Sequence, residues 1–284
     1  MSLRNALLET RLIADPTLLF AAGPMPTVNA AARIGRRLER WKAGLGGPVE
    51  RRMAALSPKP SGRAYVAEQG IAVPRLYYLG SDILDVDFAV IPPPFVVKPA
   101  LGHSTKGVVV YDGTHDLIAQ MPVQIAAMRD HVRDHVAQGE TIAPGSLFMI
   151  EEKVEDFDRR FPIPRDFKVF CAGGHAWWVQ VVDRNAGQLR GRPYLLDGRP
   201  VPHPISKLYT WPSDIGVIPP FADLAMVTEQ LSRELPRFLR IDCYMSKHGP
   251  VFGEFTPYPS LGAYFTPVGD RAICRLMDVW PDDA

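Results

Sequence analysis

Across 284 residues, 46% are apolar and 22% charged, and 32 Lys and Arg stand against 31 Asp and Glu, a net charge of +1. That length and apolar share can bury one large core or two to three small ones, while the balanced charge lacks the pull toward phosphate backbones of a nucleic-acid binder, so DNA and RNA are excluded as general partners. No run reaches the roughly 18 apolar residues of a membrane span, Glu9, Arg11 and Asp15 interrupt any leader core, and the dispersed Cys171, Cys243 and Cys274 offer neither a disulfide framework nor a zinc site, so a cytoplasmic protein in a reducing compartment is expected.

Residues 1–56 read as helical, with apolar Leu3, Leu7, Leu8, Leu12 and Ile13, a Gly-Pro-Met-Pro break, and a second helix ending in the glycine-rich run 44–48. Arg33, Arg36, Arg37 and Arg40 recur at helical spacing within a basic stretch from 33 to 52, which reads as a solvated face or, alternatively, as a dock for an acidic or membrane-borne substrate. A short helix over 62–69 is expected to stop at Gly70, with extended segments over 71–74 and 76–79. Pro92-Pro93-Pro94 reads as a linker, followed by strands at 95–99 and 108–111 joined by a glycine-containing turn. A helix is expected over 122–138, then a strand at 147–150 and a hairpin pairing 167–171 with 177–182 across Ala172-Gly173-Gly174-His175. In that hairpin Trp177 and Trp178 alternate faces, so one ring is expected in the core and the other is open to line an acceptor site. A helix over 221–239, ended or kinked by Pro236, precedes two strands, 239–245 and 251–256. The expected division is a helical cap over 1–56, a small mixed unit over 57–94, and α+β units over 95–153 and 154–284.

The chemistry begins with absences: Gly102 to Gly107 runs into Val108-Val109 rather than the Lys-Ser/Thr of a P-loop, and GxGxxG, HExxH and GxSxG are missing. What the sequence offers instead is Lys98 at a strand end followed by Gly102, Ser104, Thr105, Lys106 and Gly107. Small residues let backbone amides approach a polyphosphate, and the lysine supplies a point charge; an ordinary hairpin turn would look the same. His103 in that turn could touch a phosphate or deprotonate an amine, or simply lie exposed. The apolar strand ending in Glu151-Glu152-Lys153-Val154 could present a carboxylate to an adenine amino group or be a solvated strand end. Arg240 and Asp242 alternate onto one face, and Glu254, twelve residues after Asp242, can lie opposite them across a hairpin. Two carboxylates on one face suit magnesium, and unpaired they would be costly to bury.

Taken together, Phe95-Val96-Val97-Lys98-Pro99, the small-residue loop, Glu151-Glu152-Lys153-Val154, Asp166-Phe167-Lys168-Val169, Arg240-Ile241-Asp242 and Gly253-Glu254-Phe255-Thr256 resemble an ATP-grasp protein. Lys59-x-x-x-Arg63-x-Tyr65-Val66, Val182-Asp183-Arg184 and the run 251–259 resemble more narrowly the TupA-like family named for teichuronopeptide biosynthesis, over roughly residues 57–268. The resemblance implies an α+β ATP-grasp fold, two small subdomains clasping ATP, behind the helical cap. It implies a magnesium-dependent ligase joining a carboxylate to an amine, on small molecules or on glycan or peptide precursors of the cell surface or of specialised metabolism, through an acyl phosphate. By matching position, Lys98 and Lys168 would hold phosphates under the 102–107 loop, and Glu151, Glu152 and the Val154 backbone would meet adenine, with Glu155 or Asp156 at the ribose. Asp242, Glu254 and Thr256 would hold magnesium, Thr256 standing where the wider family often has asparagine. Arg240, with Lys168, would serve the transferred phosphoryl group. Phosphoryl transfer is mostly positioning and charge neutralisation, in keeping with this set. A kinase of the same fold acting on a hydroxyl, or a nucleotide-binding module without catalysis, remain alternatives.

Overall fold

The computed structural model describes residues 3–101, 107–138 and 146–282. The N-terminal segment is helical as expected: α1 (Leu3–Ala14), a 3₁₀ turn (Pro16–Phe20), α2 (Ala30–Lys42), α3 (Pro48–Leu56) and α4 (Lys59–Glu68). Local chemistry sets the starts: Asn29 caps α2 by accepting from the Ala32 N–H at 2.9 Å, and Glu50 reaches back to the Gly47 N–H at 3.0 Å to open α3. α4 begins three residues before the expected helix, because Pro60 sits in its first turn, where a fixed φ and a missing N–H cost nothing.

Of the four arginines on the basic face of α2, Arg36 alone is exposed. Arg37 is 2% exposed, donates to the Phe238 and Pro257 carbonyls at 2.7 and 3.0 Å, and pairs with Asp282 at 2.5 Å. Arg33 pairs with Asp278 at 2.6 Å. The spacing that looked like wetting charge joins the cap to the chain's last helix, α7 (Pro267–Val279), with Leu12, Leu19 and Ile34 in the core they share.

Two antiparallel sheets follow. The first has six strands in the order β1-β6-β2-β3-β4-β5: β1 (Leu76–Gly80), β2 (Phe95–Pro99), β3 (Val109–Tyr111), β4 (His115–Asp116), β5 (Met121–Pro122) and β6 (Phe148–Glu152). Phe95, Val97, Val109 and Ile150 pack under Met128 and Val132 of α5 (Met128–Gln138). That helix starts later than the expected 122, since Pro122 pairs with His115 in a short strand and the Val123 N–H bonds Thr114 at 2.9 Å, tying the backbone to the sheet.

The second sheet has five strands in the order β11-β10-β7-β8-β9: β7 (Asp166–Ala172), β8 (His175–Asp183), β9 (Arg190–Leu195), β10 (Leu239–Ser246) and β11 (Gly249–Thr256). The β7–β8 hairpin turns on Gly173 and Gly174, both at positive φ, 66° and 84°, the backbone a tight hairpin demands. Val169, Val179, Ile241 and Cys243 face α6 (Ala222–Arg233). α6 stops short of Pro236, whose ring disfavours helix in the residue before it, not at 239 as expected. Trp177 and Trp178 are both core: Trp178 stacks on Phe170 at 4.5 Å and Trp177 packs on Trp280 at 5.2 Å, so neither lines an acceptor site.

Candidate functional site

Alternation along β7 and β10 sends Phe167, Val169, Leu239, Ile241 and Cys243 into the core under α6 and turns Asp166, Lys168, Arg240 and Asp242 to the opposite face. Register then brings the charges together: Asp242 lies opposite Lys168 on one side and Glu254 on the other, and Arg240 lies opposite Thr256. The Asp242 carboxylate accepts from Arg240 Nε at 2.5 Å and Nη2 at 2.7 Å and from Lys168 Nζ at 2.6 Å. Arg240 also reaches Thr256 Oγ1 at 3.2 Å and stands 3.9 Å from Glu254. Lys59, from α4, pairs with the other Glu254 oxygen at 3.2 Å. Asp166 completes the cluster, 3.5 Å from Lys168 and 2.8 Å from Arg184.

This cluster is charged throughout. Burial pushes Asp166 up, but Lys168, Arg184 and Arg240 outweigh it and hold the carboxyl at about 2. Asp242 is likewise held low against its burial by Arg240 and Lys168. Burial would also discharge Lys168 and Arg240, and the carboxylates keep both raised instead. The four cations Lys59, Lys168, Arg184 and Arg240 face the three carboxylates Asp166, Asp242 and Glu254. A divalent cation on the carboxylates would leave a strongly positive surface, suited to a polyphosphate.

The six-stranded sheet contributes the second half. β2 and β6 bury Phe95, Val97, Phe148 and Ile150 under α5 and turn Lys98 and Glu151 to the other face, where they form an ion pair. Glu152, the last residue of β6, and Glu155 are exposed and Val154 is half-buried. Asp156 is committed elsewhere: its side chain is fully buried in a two-pronged pair with Arg165, at 2.8 and 3.0 Å, so it is not open to a ribose. Gly102, His103, Ser104, Thr105 and Lys106 lie outside the described residues, while Gly107 is buried with φ 68°.

α4 joins the halves. Gly62 brings it onto β11: a Cβ there would lie 2.6 Å from the Leu56 carbonyl and 3.2 Å from the Phe255 ring. That approach places Lys59 on Glu254, and one turn later Arg63, which burial pulls below its ordinary pKa while the Glu151 charge pulls it back up. Arg63 Nη1 is buried and has no hydrogen-bond partner among the described residues. A buried guanidinium nitrogen without an acceptor is costly, and a nucleotide phosphate would supply one. Hard carboxylate and hydroxyl oxygens at Asp242, Glu254 and Thr256 are the donors magnesium prefers. Both groups fit the residues present.

Beside Lys168 and Arg240 is a pocket walled by Phe170, Gln180, Tyr209 and Phe265, with Ser206 and Ser260 at its edge. Local spacing carried no signal for Tyr209, Ser206 or Phe265, which come from irregular segments brought together by the Ser206–Phe265 bridge.

Two antiparallel sheets carrying phosphate-type cations and paired carboxylates define an ATP-grasp protein. The chain belongs to the TupA-like ATP-grasp family, whose model matches residues 50–273. Among solved structures it is similar to the VanG D-Ala:D-Ser ligase of Enterococcus faecalis (12% identity, 88% of this chain and 70% of that one, TM-score 0.53). It is similar also to the D-alanine–D-alanine ligase of Bacillus anthracis complexed with ATP (12% identity, 86% and 73%, TM-score 0.52). The ATP-grasp ligase PsnB, complexed with a phosphomimetic variant of a minimal precursor, Mg and ADP, matches over 88% of this chain and 66% of its own length (12% identity, TM-score 0.47). At such identities the likeness is one of fold. No curated protein matches the chain.

Proposed function

We propose that the protein joins a carboxylic acid to an amine at the expense of ATP, through an acyl phosphate. The observation that carries this reading is the buried pair Asp242 and Lys168 with the half-buried Arg240 bonded to Asp242, Glu254 opposite and a pocket against Arg240 and Lys168. ATP would supply the γ-phosphoryl group and magnesium the charge neutralisation at the β- and γ-oxygens. Asp242 and Glu254, helped by the Thr256 hydroxyl, are the residues to hold the metal. Lys168, Arg240 and Lys59, which neutralise those carboxylates here, are the cations that would face phosphate oxygens if the carboxylates held magnesium. Lys98 and Arg63 serve the nucleotide from the six-stranded side, with Glu151, Glu152, Val154 and Glu155 at its base and ribose and the 102–107 loop, Gly107 included, over the phosphates.

The pocket would seat the acid. One of its carboxylate oxygens attacks the γ-phosphorus as the bond to the bridging oxygen breaks and ADP leaves. Arg240 stabilises the charge on the transferred group. The amine then attacks the acyl carbon, inorganic phosphate departs with the carboxylate oxygen, and the amine's proton passes to solvent. Phe170, Tyr209 and Phe265 line the side of the site that the acid's body would approach. A glycan or peptide precursor of the cell surface, or a specialised metabolite, is the substrate class that the TupA-like resemblance suggests.

The test incubates the protein with ATP, magnesium, a pool of carboxylic acids and hydroxylamine as surrogate amine. ADP, free phosphate and a hydroxamate are the expected products. ADP with a phosphorylated hydroxyl compound and no free phosphate would make the protein a kinase instead.

A further inference from the structure

Away from the charged cluster, the six-stranded sheet holds a second group of potential ligands. β4 is separated from β6, the strand of Glu151, by β2 and β3, and its Asp116 is completely buried. Backbone N–H groups of Ile118 and Val110 donate to Asp116 Oδ1 at 2.9 and 3.3 Å, which fixes the carboxylate and turns Oδ2 toward α5. There His131 and His135, four residues apart and therefore on one helix face, bring their Nε2 atoms to 2.9 and 3.6 Å from that same oxygen. Their rings are 4.4 Å apart, and one ligand atom from each of the three residues lies within 4.8 Å of the others.

The geometry is that of a shared site rather than of one pair. His135 Nδ1 lies 3.1 Å from the His131 carbonyl, which holds the ring with its Nε2 toward Asp116, so two imidazole nitrogens from one helix face converge on a single buried carboxylate oxygen. The Nδ1–carbonyl bond is also the outer contact that orients metal-bound histidines and fixes their tautomer.

We propose that Asp116, His131 and His135 bind one divalent transition metal of the zinc type, tying α5 to β4 within the six-stranded sheet. Tetrahedral zinc with nitrogen and oxygen ligands at 2.0–2.2 Å sets its donors about 3.3–3.6 Å apart; the His135 separation of 3.6 Å matches that, and the His131 separation of 2.9 Å needs to open by a few tenths of an ångström. Two imidazoles select such a metal over magnesium, which takes oxygen ligands. The histidine side chains are 10% and 21% exposed, so an ion can reach them from solvent.

The test uses the full chain, stripped of metal by a chelator and held in excess magnesium to occupy the carboxylates of the nucleotide cluster. Zinc(II) is titrated calorimetrically and cobalt(II) by its visible absorption. One equivalent of zinc should bind, cobalt should give the intense bands of a four-coordinate site, and zinc should raise the melting temperature. His131→Gln and His135→Gln should each weaken zinc by more than the roughly 10- to 100-fold that outer-contact changes cost, and Asp242→Asn should leave zinc affinity unchanged. His135 is partly exposed, so its variant should melt like the metal-free parent; the cobalt spectrum of the unmutated protein reads the site even if a variant does not fold. Absence of saturable zinc binding in excess magnesium, or equal affinity in the parent and both histidine variants, would overturn the proposal.

Discussion

Asp242 accepts from Arg240 and Lys168 at once and lies directly across from Glu254, so no single charge in the cluster can change alone. Asp242→Asn keeps the shape and halves the negative charge available to a metal. It is expected to lower magnesium-dependent turnover by on the order of 10²- to 10³-fold, the scale of removing one preorganised electrostatic contact, in a steady-state ADP-release assay. Lys98→Ala removes one charge-assisted contact worth about 1.5–3 kcal/mol and is expected to raise the Kd for ATP roughly 10- to 100-fold by calorimetry; unchanged affinity would place the phosphates elsewhere. At the far end of β8, Asp183 is fully buried. Burial pushes its pKa up, but the Asn185 donors and Arg190 outweigh that and hold it below the ordinary value. A depressed carboxylate adds stability that is complete above about pH 4, the unfolded value, and is lost as pH falls through the folded one. Asp183→Asn should therefore flatten the acid limb of a stability–pH curve and leave its neutral-to-basic slope alone. At this scale the sequence disclosed partners within one hairpin, because alternation and register are local rules: Arg240, Asp242 and Glu254 could be placed on one face from spacing. It could not pair Lys59 with Glu254 or aim Arg63 toward Glu151, since both depend on where α4 lands.

Among elements, α2 is the most instructive. Its arginines at helical spacing read as wetting charge, yet the pattern of a solvated face and that of a face buried against carbonyls and carboxylates is the same string of residues. What decides is the partner, here Phe238, Pro257 and Asp282, each some 200 or more positions away. Arg37→Met fills the space without the donors and strands two buried carbonyls. We expect a loss of about 3–5 kcal/mol, the cost of breaking a buried charged contact, in urea unfolding. Arg36, exposed on the same helix, should tolerate the same change within about 0.5 kcal/mol. Hairpins were legible where turn chemistry is strict, as at Gly173-Gly174. β9 was not, because Pro193 breaks the strand signal and is tolerated only because β9 lies at the sheet edge.

At the scale of the whole molecule, each sheet packs its apolar face under a helix, and α4 lies on β11 with Arg63 within electrostatic reach of Glu151 on the other sheet. Conformational coupling between the sheets should therefore show as stabilisation by ligand. MgADP is expected to raise the melting temperature of the parent protein with a concentration dependence set by its Kd, and to do so far less in Asp242→Asn. The α+β architecture was legible because its strands alternate and its loops are marked by Gly and Pro. The pocket beside Lys168 and Arg240 was not, being assembled from segments around Ser206, Tyr209 and Phe265 that share no local pattern. The most direct test of the central claim follows the oxygen. With candidate acids labelled with heavy oxygen in the carboxylate, ATP, magnesium and an amine, a ligase working through an acyl phosphate must deliver one labelled oxygen to inorganic phosphate for each amide formed. Amide formation with unlabelled phosphate, or ATP consumption that leaves the label wholly in the acid, would contradict it.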